Sequence, residues 1–119
     1  MKIKWLGNPR KEDYSAAALY LSLTMTPSAA KSAATRMQNA RISTVAAKDI
    51  FRASGLSLLG ISNSHVEKDI GRISKKEKLP PLLLCRDVTN NRLIVADGYH
   101  RLCAVYKLDE DAMIPCKIV

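Results

Sequence analysis

No stretch of this 119-residue chain is apolar for long enough to cross a bilayer: the longest run, Pro80-Pro81-Leu82-Leu83-Leu84-Cys85, falls well short of the ~20 residues a span requires. An apolar leader segment is missing as well, so a cytoplasmic protein with no membrane partner is expected. Cysteine is scarce. Cys85, Cys103 and Cys116 are odd in number and widely spaced, which excludes a disulfide framework and a zinc-ligand spacing and agrees with a reducing compartment. Two of them lie in apolar runs and are expected to be buried small hydrophobes. Internal repeats and low-complexity linkers are absent, and 47% hydrophobic with 25% charged residues is ordinary for a globular protein. A single domain over residues 1–119 follows.

Acidic residues are the other shortage, 11 against 19 Lys and Arg, for a net charge of +8. By segment, residues 1–40 carry six basic and two acidic groups, 41–80 eight and four, and 81–119 five and five. The excess lies in the first two thirds. It offers a surface for nucleic acid or another polyanion, although solubility alone would also account for it.

Along the chain, residues 1–6 alternate Lys2 and Lys4 with Ile3, Trp5 and Leu6, as in a short strand ended by Gly7-Asn8-Pro9. Asp13 is expected to cap a helix bearing Tyr14, Ala17 and Leu21. Thr26-Pro27 marks a restart, with threonine at the N-cap and proline at the first helical position, so residues 1–41 form a strand and a helical hairpin. Residues 42–46 read as a strand, 48–53 as a short helix closed by Ser54-Gly55, and 56–61 as an apolar connector. Ser64 and Glu67 have capping-box spacing, and Val66, Ile70 and Ile73 recur at helical period, predicting a helix over 64–76. Its opposite face carries Lys68, Arg72, Lys75 and Lys76, with Lys78 just beyond. Leu82 to Arg86 is a buried strand bounded by Pro80-Pro81 and pairs as a hairpin with 93–96. Residues 102–107 form a helix and 113–119 a last strand, in which Pro115 argues for an edge position or a bulge.

Between the strand and that helix stands Asp97-Gly98-Tyr99-His100-Arg101. A strand passing through glycine into a helix start gathers backbone N–H groups and the positive end of the helix dipole at one point, a ready anion site. Asp97 is expected at the N-cap, where it would either only cap the helix or hold a divalent metal. Gly98 either lets a ligand approach the backbone or serves a tight turn. His100 is a phosphate donor, a general acid or base, or an inconsequential helix residue. Arg101 favours the anion, because a cation at a helix N-terminus asks for a negative partner. His65 is explained by its place in the cap.

The apolar strand, Asp-Gly-Tyr-His-Arg and the following Leu-Cys-Ala-Val-Tyr resemble the signature of the ParB/sulfiredoxin superfamily over residues 42–119. That resemblance implies an α+β fold, a small mixed sheet with helices packed on it, here with an N-terminal helical extension. It also implies a nucleotide site: Gly98, Tyr99, His100 and Arg101 at the phosphate, with Arg52 and Ser54 facing the same pocket. Arg52 has a second explanation, as a cation at a helix C-terminus. Tyr99 stands where sulfiredoxins carry their reactive cysteine, and Cys103 lies one turn later, so sulfinic-acid reduction is not expected. ParB proteins proper carry two arginines after an acidic residue and bind cytidine triphosphate and DNA; Tyr99-His100 departs from that. Asp-Gly-x-His-Arg is closer to stand-alone ParB-like proteins, which include nucleases and small-molecule kinases. The resemblance therefore implies a nucleoside di- or triphosphate with Mg²⁺, Asp97 and His100 being catalytic and Asp97 holding the metal. Two other classes compete. One is a non-catalytic DNA- or RNA-binding module using Lys68, Arg72, Lys75, Lys76 and Lys78. The other is one member of a toxin–antitoxin or plasmid-type pair, or a homodimer, whose N-terminal helices meet a partner.

Overall fold

The fold is built on a strand whose first four residues are all apolar because both of its faces are covered there. In the computed structural model, which describes residues 2–60 and 62–119, this is β2 (Leu82–Asp87). Leu82 and Leu84 point into one core and Leu83 and Cys85 into another. An unbroken apolar run is the pattern of a strand buried on two sides.

Among the described residues the sheet has four strands in the order β1-β4-β2-β3, with β1 at Ser43–Ala46, β3 at Arg92–Asp97 and β4 at Met113–Ile118. β2 and β3 form the antiparallel hairpin expected from the turn-rich residues 87–91. β4 lies parallel to β2 and antiparallel to β1, which makes the sheet mixed. One face is covered by α1 (Lys11–Leu21) and α2 (Pro27–Asn39), and the other by α3 (Ala47–Ser54), α4 (Ser64–Ser74) and α5 (Tyr99–Leu108). The Cα radius of gyration, 13.6 Å, matches the roughly 13.5 Å expected of one compact domain of this length. All three cysteines are free and buried.

Several boundaries differ from expectation for local reasons. Residues 2–6 form no strand; Trp5 makes a single bridge to Leu79, and Met1 lies outside the described residues. Asp13 does not cap α1. It sits in the first turn, where its carboxylate accepts from the backbone N–H of Arg10 at 2.7 Å. Thr26 caps α2 as expected. In α4 the cap is Asn63, whose Oδ1 accepts from His65 and Val66, so Ser64 and Glu67 form no capping box. That helix ends at Ser74. Lys76 follows in the left-handed region (φ 60°), and Glu77 N–H reaches back to the Arg72 carbonyl, a Schellman closure usually given to glycine. Ile61, in the apolar connector, lies outside the described residues.

The largest correction concerns β4. It is an interior strand, not an edge, and its Pro115 is tolerated because pairing with β2 begins one residue later, at Cys116. On the α1/α2 face β4 also buries Lys117, only 4% exposed. Its ammonium donates to the Tyr14 hydroxyl (2.9 Å) and the Gln38 carbonyl (3.0 Å), tying both N-terminal helices to the sheet.

Candidate functional site

β3 enters α5 through Gly98, and the turn there is seated hard on the core. Gly98 has φ +108°, and a Cβ placed on it would stand 2.7 Å from Leu82 Cγ and 2.9 Å from an Arg101 guanidinium nitrogen. Both the conformation and the space demand glycine. Gly98 is itself the N-cap of α5, no side chain caps the helix, and the first backbone bond runs from Leu102 N–H to the Gly98 carbonyl. The amides of the first turn therefore keep their donor capacity, and the positive end of the dipole stays unneutralised.

Asp97 is not that cap. It is the last residue of β3, and its Oδ2 accepts from Arg101 at 3.0 Å, one helical turn on. The same Arg101 nitrogen reaches the Pro81 carbonyl at 3.3 Å, while Nε is buried with no partner among the described residues. Burial pushes the Asp97 carboxyl above its ordinary pKa, against the pull of Arg101. With its carboxylate shared between burial and an arginine, Asp97 is a poor ligand for Mg²⁺, which seeks free carboxylate oxygens. Among the described residues no three His, Cys, Asp or Glu side chains gather where they could hold a metal.

α4 faces this turn across a cavity of about 250 Å³. His65, Lys68, Asp69 and Arg72 line it from α4; Asp97, Gly98, Tyr99, His100 and Arg101 line it from the β3–α5 junction. Asp69 is 4% exposed and is neutralised by Arg72 at 2.7 Å. Lys68 has no ion-pair partner among the described residues. Three cations and two carboxylates line the cavity, both carboxylates already engaged, so it carries a surplus of positive charge. The His65 and His100 rings meet with centroids 4.7 Å apart. Burial, reinforced by His65 and opposed by Asp69, lowers the His100 pKa, leaving a neutral imidazole able to accept a proton. The Tyr99 hydroxyl donates to the Ser57 carbonyl, and burial holds its phenol protonated. Cys103 is buried, and burial raises its thiol, so it is no nucleophile.

Of the predicted residues, Asp97, Gly98, Tyr99, His100 and Arg101 come together as expected, and Lys68 and Arg72 join them. Lys75, Lys76 and Lys78 continue exposed beyond the cavity. Arg52 and Ser54 are not brought to it. Arg52 is exposed and paired with Asp49 at 3.2 Å, and the Ser54 hydroxyl closes its own helix end through Phe51 and Leu56. His65 and Asp69 escaped sequence reasoning as site residues. The usable signal was their spacing: 65, 68, 69 and 72 fall at i, i+3, i+4 and i+7, one face of a helix beside the apolar stripe of Val66, Ile70 and Ile73.

Compared with protein-family models, curated proteins and solved structures, the chain finds no match in any of the three.

Proposed function

We propose that this chain is a nucleotide-phosphate-binding domain of ParB-like type, whose cavity between α4 and α5 holds a phosphate ester and uses His100 for proton transfer. The observation that carries it is convergence: two helices from separate segments bring Lys68, Arg72, Arg101 and an uncapped helix N-terminus onto one cavity. Amide donors and the dipole favour an anion there, and guanidinium groups match phosphate geometry. The strand-glycine-helix turn with its His and Arg is what resembles ParB-like phosphate loops. His100, neutral and partly buried beside the anion, has the properties of a general base; Asp97 serves it by fixing Arg101. A Mg²⁺ ion would arrive on the polyphosphate, not on Asp97. The three free cysteines agree with a cytoplasmic setting.

Isothermal titration with nucleoside mono-, di- and triphosphates, in EDTA and in Mg²⁺, tests this. Binding is expected to weaken about tenfold, roughly 1.4 kcal/mol, in Lys68→Ala, whose ammonium makes no ion pair among the described residues. Absence of binding to every nucleotide under both conditions would refute it. A second reading, nucleic-acid binding without catalysis, is favoured by the exposed Lys75, Lys76 and Lys78 beside the cavity, and it requires affinity to fall steeply with salt. The exposed Leu19 of α1 and Leu23 in the turn after it are the residues a protein partner of the N-terminal helices would cover.

A further inference from the structure

Resting on the phosphate-site reading, we propose that the ester is an internal phosphodiester of an RNA strand, cleaved without a protein-held metal by transesterification, with His65 and His100 as the proton-transfer pair.

Three observations converge. The first is the histidine pair. Each ring comes from a different helix, both line the cavity, and their centroids are 4.7 Å apart. His100 is half-buried at the first turn of α5 and His65 is exposed at the start of α4, so seating a phosphate between them requires the exposed His65 ring to swing away and leave the two on the attacking and leaving oxygens. The second is the state of the carboxylates. Asp69 and Asp97 would be the candidates to activate water through a metal, and each is held by an arginine. A phosphodiester without a metal-bound hydroxide needs a nucleophile already in place. RNA supplies one in its own 2′-hydroxyl, held next to the phosphorus with the advantage of an intramolecular reaction. DNA has none.

The third observation is a groove system adjoining the cavity. Cavities of about 410 Å³ and 400 Å³ flank the central one, and Arg72 lines all three. Arg10 and Lys78 stand in the first and Lys75 in the second, so cationic grooves continue from the central cavity past Arg72 and offer places for neighbouring phosphates. Among the carboxylates along it, Asp13 is held by the Arg10 amide, Asp69 by Arg72 and Asp97 by Arg101, leaving Glu67 and Glu77.

In the step itself, His100 takes the 2′-hydroxyl proton, the 2′-oxygen bonds to phosphorus, the bond from phosphorus to the 5′-oxygen breaks, and His65 gives that oxygen its proton. The products are a 2′,3′-cyclic phosphate and a 5′-hydroxyl end, with no oxidant or co-reactant. Arg72, Arg101 and Lys68 face the charge that builds on the phosphoryl oxygens.

The test uses the purified full chain with end-labelled RNA, the same sequence as DNA, and its 2′-O-methyl form, all in excess EDTA. RNA should be cut to 2′,3′-cyclic phosphate ends while the other two stay intact. His65→Asn and His100→Asn, purified in parallel and checked for folding by circular dichroism, should each lose about 10²–10⁴-fold in rate while still binding nucleotide. Cleavage of DNA, cleavage that requires Mg²⁺, activity retained in both variants, or intact RNA with a chain that binds nucleotides would each overturn the proposal. The last outcome leaves the phosphate site standing, whereas loss of nucleotide binding as well would remove both.

Discussion

Replacing Gly98 by alanine should cost far more than replacing Gly55, although both glycines have positive φ. Gly55 closes α3 at φ +67°, and a Cβ there meets nothing within 4 Å. Its penalty is the left-handed conformation alone, about 1–2 kcal/mol. Gly98 bears a comparable conformational cost at φ +108° and adds a steric one, because its new Cβ would lie 2.7 Å from Leu82 Cγ and 3.1 Å from Cδ1. Leu82 is fully buried, so overpacking should add about 1–3 kcal/mol. The total is about 2–5 kcal/mol, a large part of the 5–15 kcal/mol a domain typically has. Equilibrium urea unfolding measures it. With a slope of about 1.5 kcal/mol per molar, Gly98→Ala should melt at roughly 1.5–3 M less urea than the parent and Gly55→Ala at roughly 1 M less. The steric part has its own check in Leu82→Ala, which removes the struck atoms: the double variant should be less destabilised than the sum of the singles by about 1–3 kcal/mol. Equal costs for the two glycines, or strict additivity with Leu82→Ala, would refute the seating of the α5 turn on Leu82.

Three further outcomes follow from the same contacts. Tyr14→Phe removes an acceptor from the buried Lys117 ammonium and should cost about 1.5–3 kcal/mol in thermal unfolding; an unchanged midpoint would mean that the Gln38 carbonyl alone suffices. Lys76→Gly relieves a left-handed residue at the Schellman closure and should gain about 1 kcal/mol by urea unfolding, whereas a loss would contradict that strain. Asp97 has a folded pKa raised above 3.8, so the stability it contributes is present at lower pH and is lost as pH rises through the folded value. Asp97→Asn should therefore gain on the parent as pH climbs above 3.8, and a relative fall would show that the Arg101 pairing outweighs burial.

Much of this fold is written in short-range chemistry. Leu82 to Cys85 reads as a strand because breakers bound it and nothing polar interrupts it. Thr26-Pro27 reads as a helix start because hydroxyl and ring each solve a local problem of the first turn. Gly98 announces its turn because no other residue adopts that backbone in that space, and with it came most of the site. The misplaced caps of α1 and α4 show the limit of the same logic. Asp13 and Ser64 are both plausible caps, and a neighbour, Asn63 in the second case, took the role because its side chain reached two free amides at once.

What the sequence by itself determined, then, is which segments are strands and helices, residues 2–6 apart, and that a strand-glycine-helix turn bearing His100 and Arg101 stands before α5. Those depend on side-chain period, glycine freedom and capping chemistry, all within a few residues. The tertiary structure alone decided that β4 is interior, that Arg52 and Ser54 point elsewhere, and that α4 brings His65, Asp69 and Arg72 against α5. Asp97 shows both levels at once. Its place at the strand-to-helix junction was visible in the chain, but its role was set by burial, which drives the carboxylate to the nearest cation, Arg101. Pairings of that kind join groups by distance in space and by the low dielectric around them, and neither quantity exists until the core has closed.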